Sequence, residues 1–280
     1  MPDSERTSNE LTESDEEYRL LDTSGHPGTS VDHLPLPTPA MGSGSAEKSE
    51  GRRGDKLFKY GALASILVFV CITWFIVFTN DPTSLGWFSV HPVLQSLGIG
   101  CFTYGILTLQ PTAHPKTKAS GLRRHQRTML AVGVPCIALG TLAIEIQKFN
   151  RGHKHFATWH GVYLLIFSSF SSLTILSQVF GLVSVVWLMG QVILGGGSVW
   201  FGGAAFGGGM KAKMIWKYHR LSGYILFPLL LITAHLGGAW STWVTSHSYL
   251  VVRFVAYTVA PIAALVAIYA RVRTSKMKFF

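Results

Sequence analysis

Carboxylates are scarce through most of this chain. Of its 14 Asp and Glu, 12 lie at or before Asp55, and only Asp81 and Glu145 follow. A mechanism built on paired carboxylates therefore has no residues to work with. Charge is scarce altogether: 14% of the 280 residues are charged, against about 25% in a soluble globular domain, which excludes a soluble enzyme. Cysteine is limited to Cys71, Cys101 and Cys136, all inside apolar runs and without CxxC spacing. They form neither a disulfide framework nor a zinc site. The glycines of GGGSVWFGGAAFGGG (Gly195 to Gly209) match neither GxGxxG nor a Walker loop. They fit a broken helix end or close helix packing instead.

What is present is apolar sequence, 48% of the chain, with a mean hydropathy of +0.33. Uncharged runs cover 60–80, 82–115, 129–144, 156–210, 221–252 and 254–270. A membrane-crossing helix needs roughly 20 apolar residues, so the composition predicts an all-α membrane protein. Up to Asp55, 12 acidic residues meet 5 basic ones, a net −7; from Lys56 onward 19 basic residues face 2 acidic ones, a net +17. That excess does not predict nucleic-acid binding, because it sits in clusters between long uncharged runs. The clusters are 48–59, 116–127, 211–220 and 271–278. Six crossings with both termini cytoplasmic put all four on one side, as the positive-inside rule requires. The run 156–210 has 55 residues, enough for two crossings. Two would move the Lys211 to Arg220 cluster to the outside, so the expectation is one crossing plus membrane-embedded or interfacial chain.

Residues 1–55 are rich in Ser, Glu, Asp, Gly and Pro and show no apolar periodicity. They are expected to form a disordered cytoplasmic tail, and their acidic start is the wrong pattern for a signal peptide. Within them, Glu16-Glu17-Tyr18-Arg19-Leu20-Leu21 is either a chance leucine pair or an acidic dileucine sorting signal, which would direct the chain to a vacuolar or other endomembrane.

Eleven His are present, and their placement carries the functional reading. His91 lies about one turn into the second helix, while His125, His160 and His219 open the third, fourth and fifth. Successive helices alternate in direction, so His91 shares a depth with His160 on the outer side, and His125 with His219 on the cytoplasmic side. An imidazole near hydrocarbon needs a partner. Zinc and copper sites usually take three or four protein ligands. Two His per site suit a planar macrocycle that supplies four more nitrogens, held between helices of a bundle. Iron ligated on both faces favours electron transfer. His155 is the substitute for His160, and His235 either lines the outer site or packs. Pro135 and Pro228 should kink their helices.

The segments FSVHPVLQSL, RRHQ, HFATWHG and KYHRLSGY, in order on six predicted helices, resemble the cytochrome b561 family over residues 57–275. The resemblance implies a six-helix domain (56–275) with a four-helix di-haem core. It implies two haem b groups, the outer on His91 and His160, the cytoplasmic on His125 and His219, with no catalytic side chain. It further implies ascorbate as cytoplasmic donor and monodehydroascorbate or a ferric chelate as acceptor, in membrane lipid, and it admits a homodimer. Arg123, Arg124, Arg127, Lys217 and Arg220 would attract an anionic reductant or serve as topology determinants. The His160 to His219 interval is longer than this family would give. Removing 162–178 restores one ordinary helix, so that segment is read as an insertion. Two other readings stay open: a membrane subunit relaying electrons for a separate redox partner, and a His-lined proton or metal transporter.

Overall fold

The computed structural model describes residues 52–110, 115–151 and 169–273. Every regular element among them is helical. Six helices are long and apolar enough to cross a bilayer, the number expected for a multi-pass integral membrane protein. Residues 1–51 of the N-terminal tail and residues 162–168 of the suspected insertion lie outside the described residues.

Helix α1 (Asp55–Thr79) shows how the sequence sets the packing. Ala62, Ile66, Phe69, Thr73 and Ile76 are buried, at alternating steps of four and three that draw one stripe along a helix. Its other faces carry Leu67, Phe75 and Phe78 at 60%, 65% and 56% exposure. A water-soluble helix would not present that much apolar surface, whereas lipid accepts it. After Asn80, a single turn (Pro82–Leu85) leads into α2 (Trp87–Thr108). Trp74 of α1 donates from Nε1 to Ser96 Oγ and to the Val93 carbonyl on α2, at 3.1 and 3.2 Å.

Helix α3 starts at Pro115, ten residues before His125, and runs to Asn150 through a π turn at Met129–Gly133. The expected kink at Pro135 takes the form of that π turn. Pro135 has no N–H to give the preceding carbonyls, and Val134 N–H bonds back to Met129 instead. Helix α6 repeats the device. Its first stretch, Leu250–Phe254, passes through a π turn at Val255–Val259 into Ala260–Ala270, with Pro261 directly after the turn. Helix α5 (Gly209–Trp240) stays helical through Pro228.

In the long run 156–210, α4 (Ser169–Gly197) contributes one crossing segment, Gln178–Gly197. The Gly-rich sequence that follows ends α4 and turns into α5. Phe201, Gly202, Gly203, Gly207 and Gly208 all have left-handed φ, a region open to glycine and strained for Phe201. A Cβ on Gly203 would sit 2.3 Å from that of Ala212. The broken helix end expected from the sequence is this tight turn.

Packing is uneven. α1 lies against α2 and α6, α2 against α3, and α4 against α5, whereas the α2/α3 pair meets the α4/α5 pair at few points. Gln95 ties α2 to α3 by donating to the Ile137 carbonyl (3.1 Å) and Thr141 Oγ1 (3.0 Å). Trp187 Nε1 ties α4 to α5 through Ser222 Oγ at 2.6 Å. The rings of His125 and His219 meet between the two pairs.

Candidate functional site

His125 and His219 each stand ten residues inside their helices, counted from Pro115 and Gly209. That shared register on two helices running the same way brings their rings together. The ring centroids are 6.4 Å apart with the planes at 90°. Two imidazoles binding one metal ion from opposite sides would be about 6 Å apart, from about 2 Å per nitrogen–metal bond and about 1 Å from nitrogen to ring centre. The observed spacing fits a shared metal ion. Among the described residues no group of three or more His, Cys, Asp or Glu could hold one, so from those residues a metal here would have these two imidazoles.

Each ring is oriented by a neighbouring helix. The acceptor for His125 is the carbonyl of Gly105, in the last turn of α2, at 3.1 Å from Nδ1. Because Leu109 N–H bonds to Ile106 rather than to Gly105, that carbonyl is open to a side chain. A carbonyl only accepts, so the proton is on Nδ1 and Nε2 is left as a ligand atom. On the other side, the Gln191 amide of α4 lies 2.9 Å from His219 Nδ1. Gly195, one turn further along α4, rests on the imidazole; a Cβ there would come within 2.7 Å of His219 Cε1.

His91, the fifth residue of α2, repeats the arrangement of His125. Its Nδ1–H donates to the carbonyl of Gly140 on α3 at 2.8 Å. His160 and its substitute His155 lie outside the described residues. His235 is a packing residue: its Nδ1–H donates to the Tyr257 carbonyl at 2.8 Å, and its Nε2 accepts from Trp240 Nε1 at 3.2 Å.

The anion candidates flank the His125–His219 pair. Arg123, Arg124 and Arg127 are exposed on the first part of α3, and Arg124 donates to Ser120 Oγ at 2.9 Å. Lys217 sits over the Tyr218 ring, 5.2 Å from its centroid. Arg220 is within electrostatic reach of His219 and Tyr224.

A further polar cluster was not foreseen. Where α2, α5 and α6 converge, Arg271 is only 3% exposed and donates from Nη2 to the Gln110 carbonyl. Gln110 donates to the Tyr224 hydroxyl, and the Tyr269 hydroxyl donates to the Tyr224 carbonyl. That carbonyl lies four residues before Pro228, which lacks the N–H that would bond it in a helix. Burial pushes the Arg271 guanidinium down from its ordinary value, and Asp55 nearby partly restores it. Among the described residues Arg271 Nε and Nη1 and Gln110 Oε1 have no hydrogen-bond partner. The one sequence signal was the four-residue interval from Tyr224 to Pro228.

The chain matches no family model, no curated protein and no solved structure.

Proposed function

We propose that this protein carries electrons across a membrane through two b-type haems, one between His125 and His219 and the other between His91 and His160. In this reading the four Lys and Arg clusters mark the cytoplasmic side, ascorbate is the cytoplasmic donor, and monodehydroascorbate or a ferric chelate accepts on the far side. The observation that carries it is the 6.4 Å separation of the His125 and His219 rings, close to what two imidazoles on one iron require. Sparse contact between the α2/α3 and α4/α5 pairs favours a flat ligand between them.

A haem bound here would supply a one-electron iron couple suited to electron transfer. The rest falls to the chain. His125 and His219 would hold the group. The Gly105 carbonyl keeps the His125 proton on Nδ1, and Gln191 fixes the rotation of the His219 ring. Gly195 lets α4 approach that ring. Arg123, Arg124, Arg127, Lys217 and Arg220 give that end a positive field that concentrates an anionic donor.

The test is a haem-to-protein ratio with reduced-minus-oxidised spectra on the wild type and on His125→Ala. About two haems per chain should fall to about one. A colourless wild type rejects the reading, and an unchanged ratio in the variant rejects the His125–His219 pairing. Vesicles loaded with ascorbate and facing external ferricyanide separate a self-sufficient carrier, which reduces it unaided, from a relay subunit, which does not.

A further inference from the structure

A second candidate site lies on the outside of the bundle, where α1 and α6 pack side by side. An apolar groove of about 470 Å³ follows α6 there, lined by Phe254, Ile262, Ala263, Val266 and Ala267 together with Phe58 of α1. From Phe254 to Ala267 the helix advances roughly 20 Å, enough for one acyl chain crossing its leaflet, which is about 15 Å deep.

One end of this groove is strongly basic. The first turn of α1 and the end of α6 are joined there by Arg52, whose Nη2 donates to the Val272 carbonyl at 3.3 Å. Gly54 lies against the Phe58 ring, from which a Cβ at this position would be 3.4 Å away. Arg52, Arg53 and Lys56 are exposed. Arg271 stands one turn beyond Ala267 on the same face of α6. With Arg273, the described residues of this corner carry five cations and a single carboxylate, Asp55, whose Oδ2 already accepts the Arg52 backbone N–H at 2.7 Å.

The two halves of the arrangement ask for different things. Arg271 is buried and its Nε and Nη1 find no partner among the described residues, whereas a buried donor in a native protein is answered by an acceptor. Water could answer it but would not fill the groove, and a neutral hydrocarbon could fill the groove but would not answer it. A phospholipid does both. The five-to-one charge balance selects a headgroup without an ammonium, which these cations would repel. We propose that this corner binds one anionic glycerophospholipid, with an acyl chain along α6 and its phosphate against Arg271, Arg53 and Lys56.

The experiment uses the full-length protein in nanodiscs of phosphatidylcholine doped with phosphatidylglycerol, with retained lipid counted by native mass spectrometry. The wild type should keep one phosphatidylglycerol in preference to phosphatidylcholine by about tenfold. The double variant Arg53→Gln/Lys56→Gln should lose that preference. Ala263→Phe, which fills the groove and leaves every charge in place, should also release the lipid. Equal retention of the two lipids by the wild type overturns the proposal. So does undiminished retention in either variant, since each removes one half of the site. The outcome is independent of haem content, so failure here leaves the electron-transfer reading untouched, and the converse also holds.

Discussion

His235 donates its Nδ1 proton to the carbonyl of Tyr257 across the α5–α6 boundary, 2.8 Å away. In an α-helix that carbonyl would bond to the N–H of residue 261, which is proline and has none. The π turn at Val255–Val259 and the imidazole are thus two parts of one arrangement, and Thr258 Oγ1 lies 3.2 Å from the same Nδ1. His235→Phe should leave the Tyr257 carbonyl and Trp240 Nε1 without this partner. The expected loss is about 1–3 kcal/mol of stability, read as a lower melting temperature, with the haem spectrum unchanged. A spectral change would instead make His235 part of a haem site.

Gly237 and Gly238 are neighbours with opposite surroundings. A Cβ on Gly238 would meet Tyr257 Cδ1 at 2.1 Å, whereas nothing lies within 4 Å of one on Gly237. Gly238→Ala should force the Tyr257 ring away from Phe69, its edge-on partner at 5.9 Å, and destabilise by about 1–3 kcal/mol. Gly237→Ala should be neutral or stabilise by up to about 1 kcal/mol. Equal melting temperatures for the two variants would contradict the tight α5–α6 contact.

The same contrast probes the His pair. Gly195→Ala puts a methyl group 2.7 Å from His219 Cε1, while a Cβ on Gly190 has nothing within 4 Å. Gly195→Ala should displace the imidazole and lower the haem-to-protein ratio from about two towards one. Gly190→Ala should bind haem as the wild type does. A normal ratio in Gly195→Ala would mean that this helix does not rest on the ring.

Asp81 sets a small pH dependence at the turn between α1 and α2. Thr83 Oγ1 donates to its Oδ1 at 2.5 Å, and this bond holds the carboxyl below its ordinary value of 3.8. The folded protein therefore favours the ionised form. The resulting stabilisation is present above the unfolded-state value and fades as pH falls through the lower, folded one. Asp81→Asn should melt below the wild type at neutral pH and converge with it in strong acid. A gap that persists in acid would assign the effect to something other than this carboxylate.

The membrane helices were legible because each apolar run is long and uncharged, a signal that survives ignorance of which face is buried. Their ends were less so. Hydropathy places His125 and His219 at the openings of their helices, yet each follows ten helical residues. Hydropathy falls where Lys and Arg begin, but the backbone goes on coiling beyond the apolar stretch. The meeting of His125 and His219 was readable from depth and direction alone. Their orienting partners were not, since a main-chain carbonyl such as that of Gly105 or Gly140 has no side-chain signature, and Gln191 is one amide in an apolar run. Pro135 pointed to a distortion without telling a kink from a π turn. Pro261 lies in an equivalent position and drew no expectation at all.

The ten residues ahead of each imidazole give the protein a collar. At 1.5 Å per residue, α3 and α5 continue for about 15 Å past the ring pair, the first partly as a basic rod. The ring pair is therefore recessed from those helix ends, and Lys118 and Arg123 on α3 and Lys213 and Lys217 on α5 stand between the imidazoles and the ends. Any charged group that nears the rings along these helices passes through the field of those cations first.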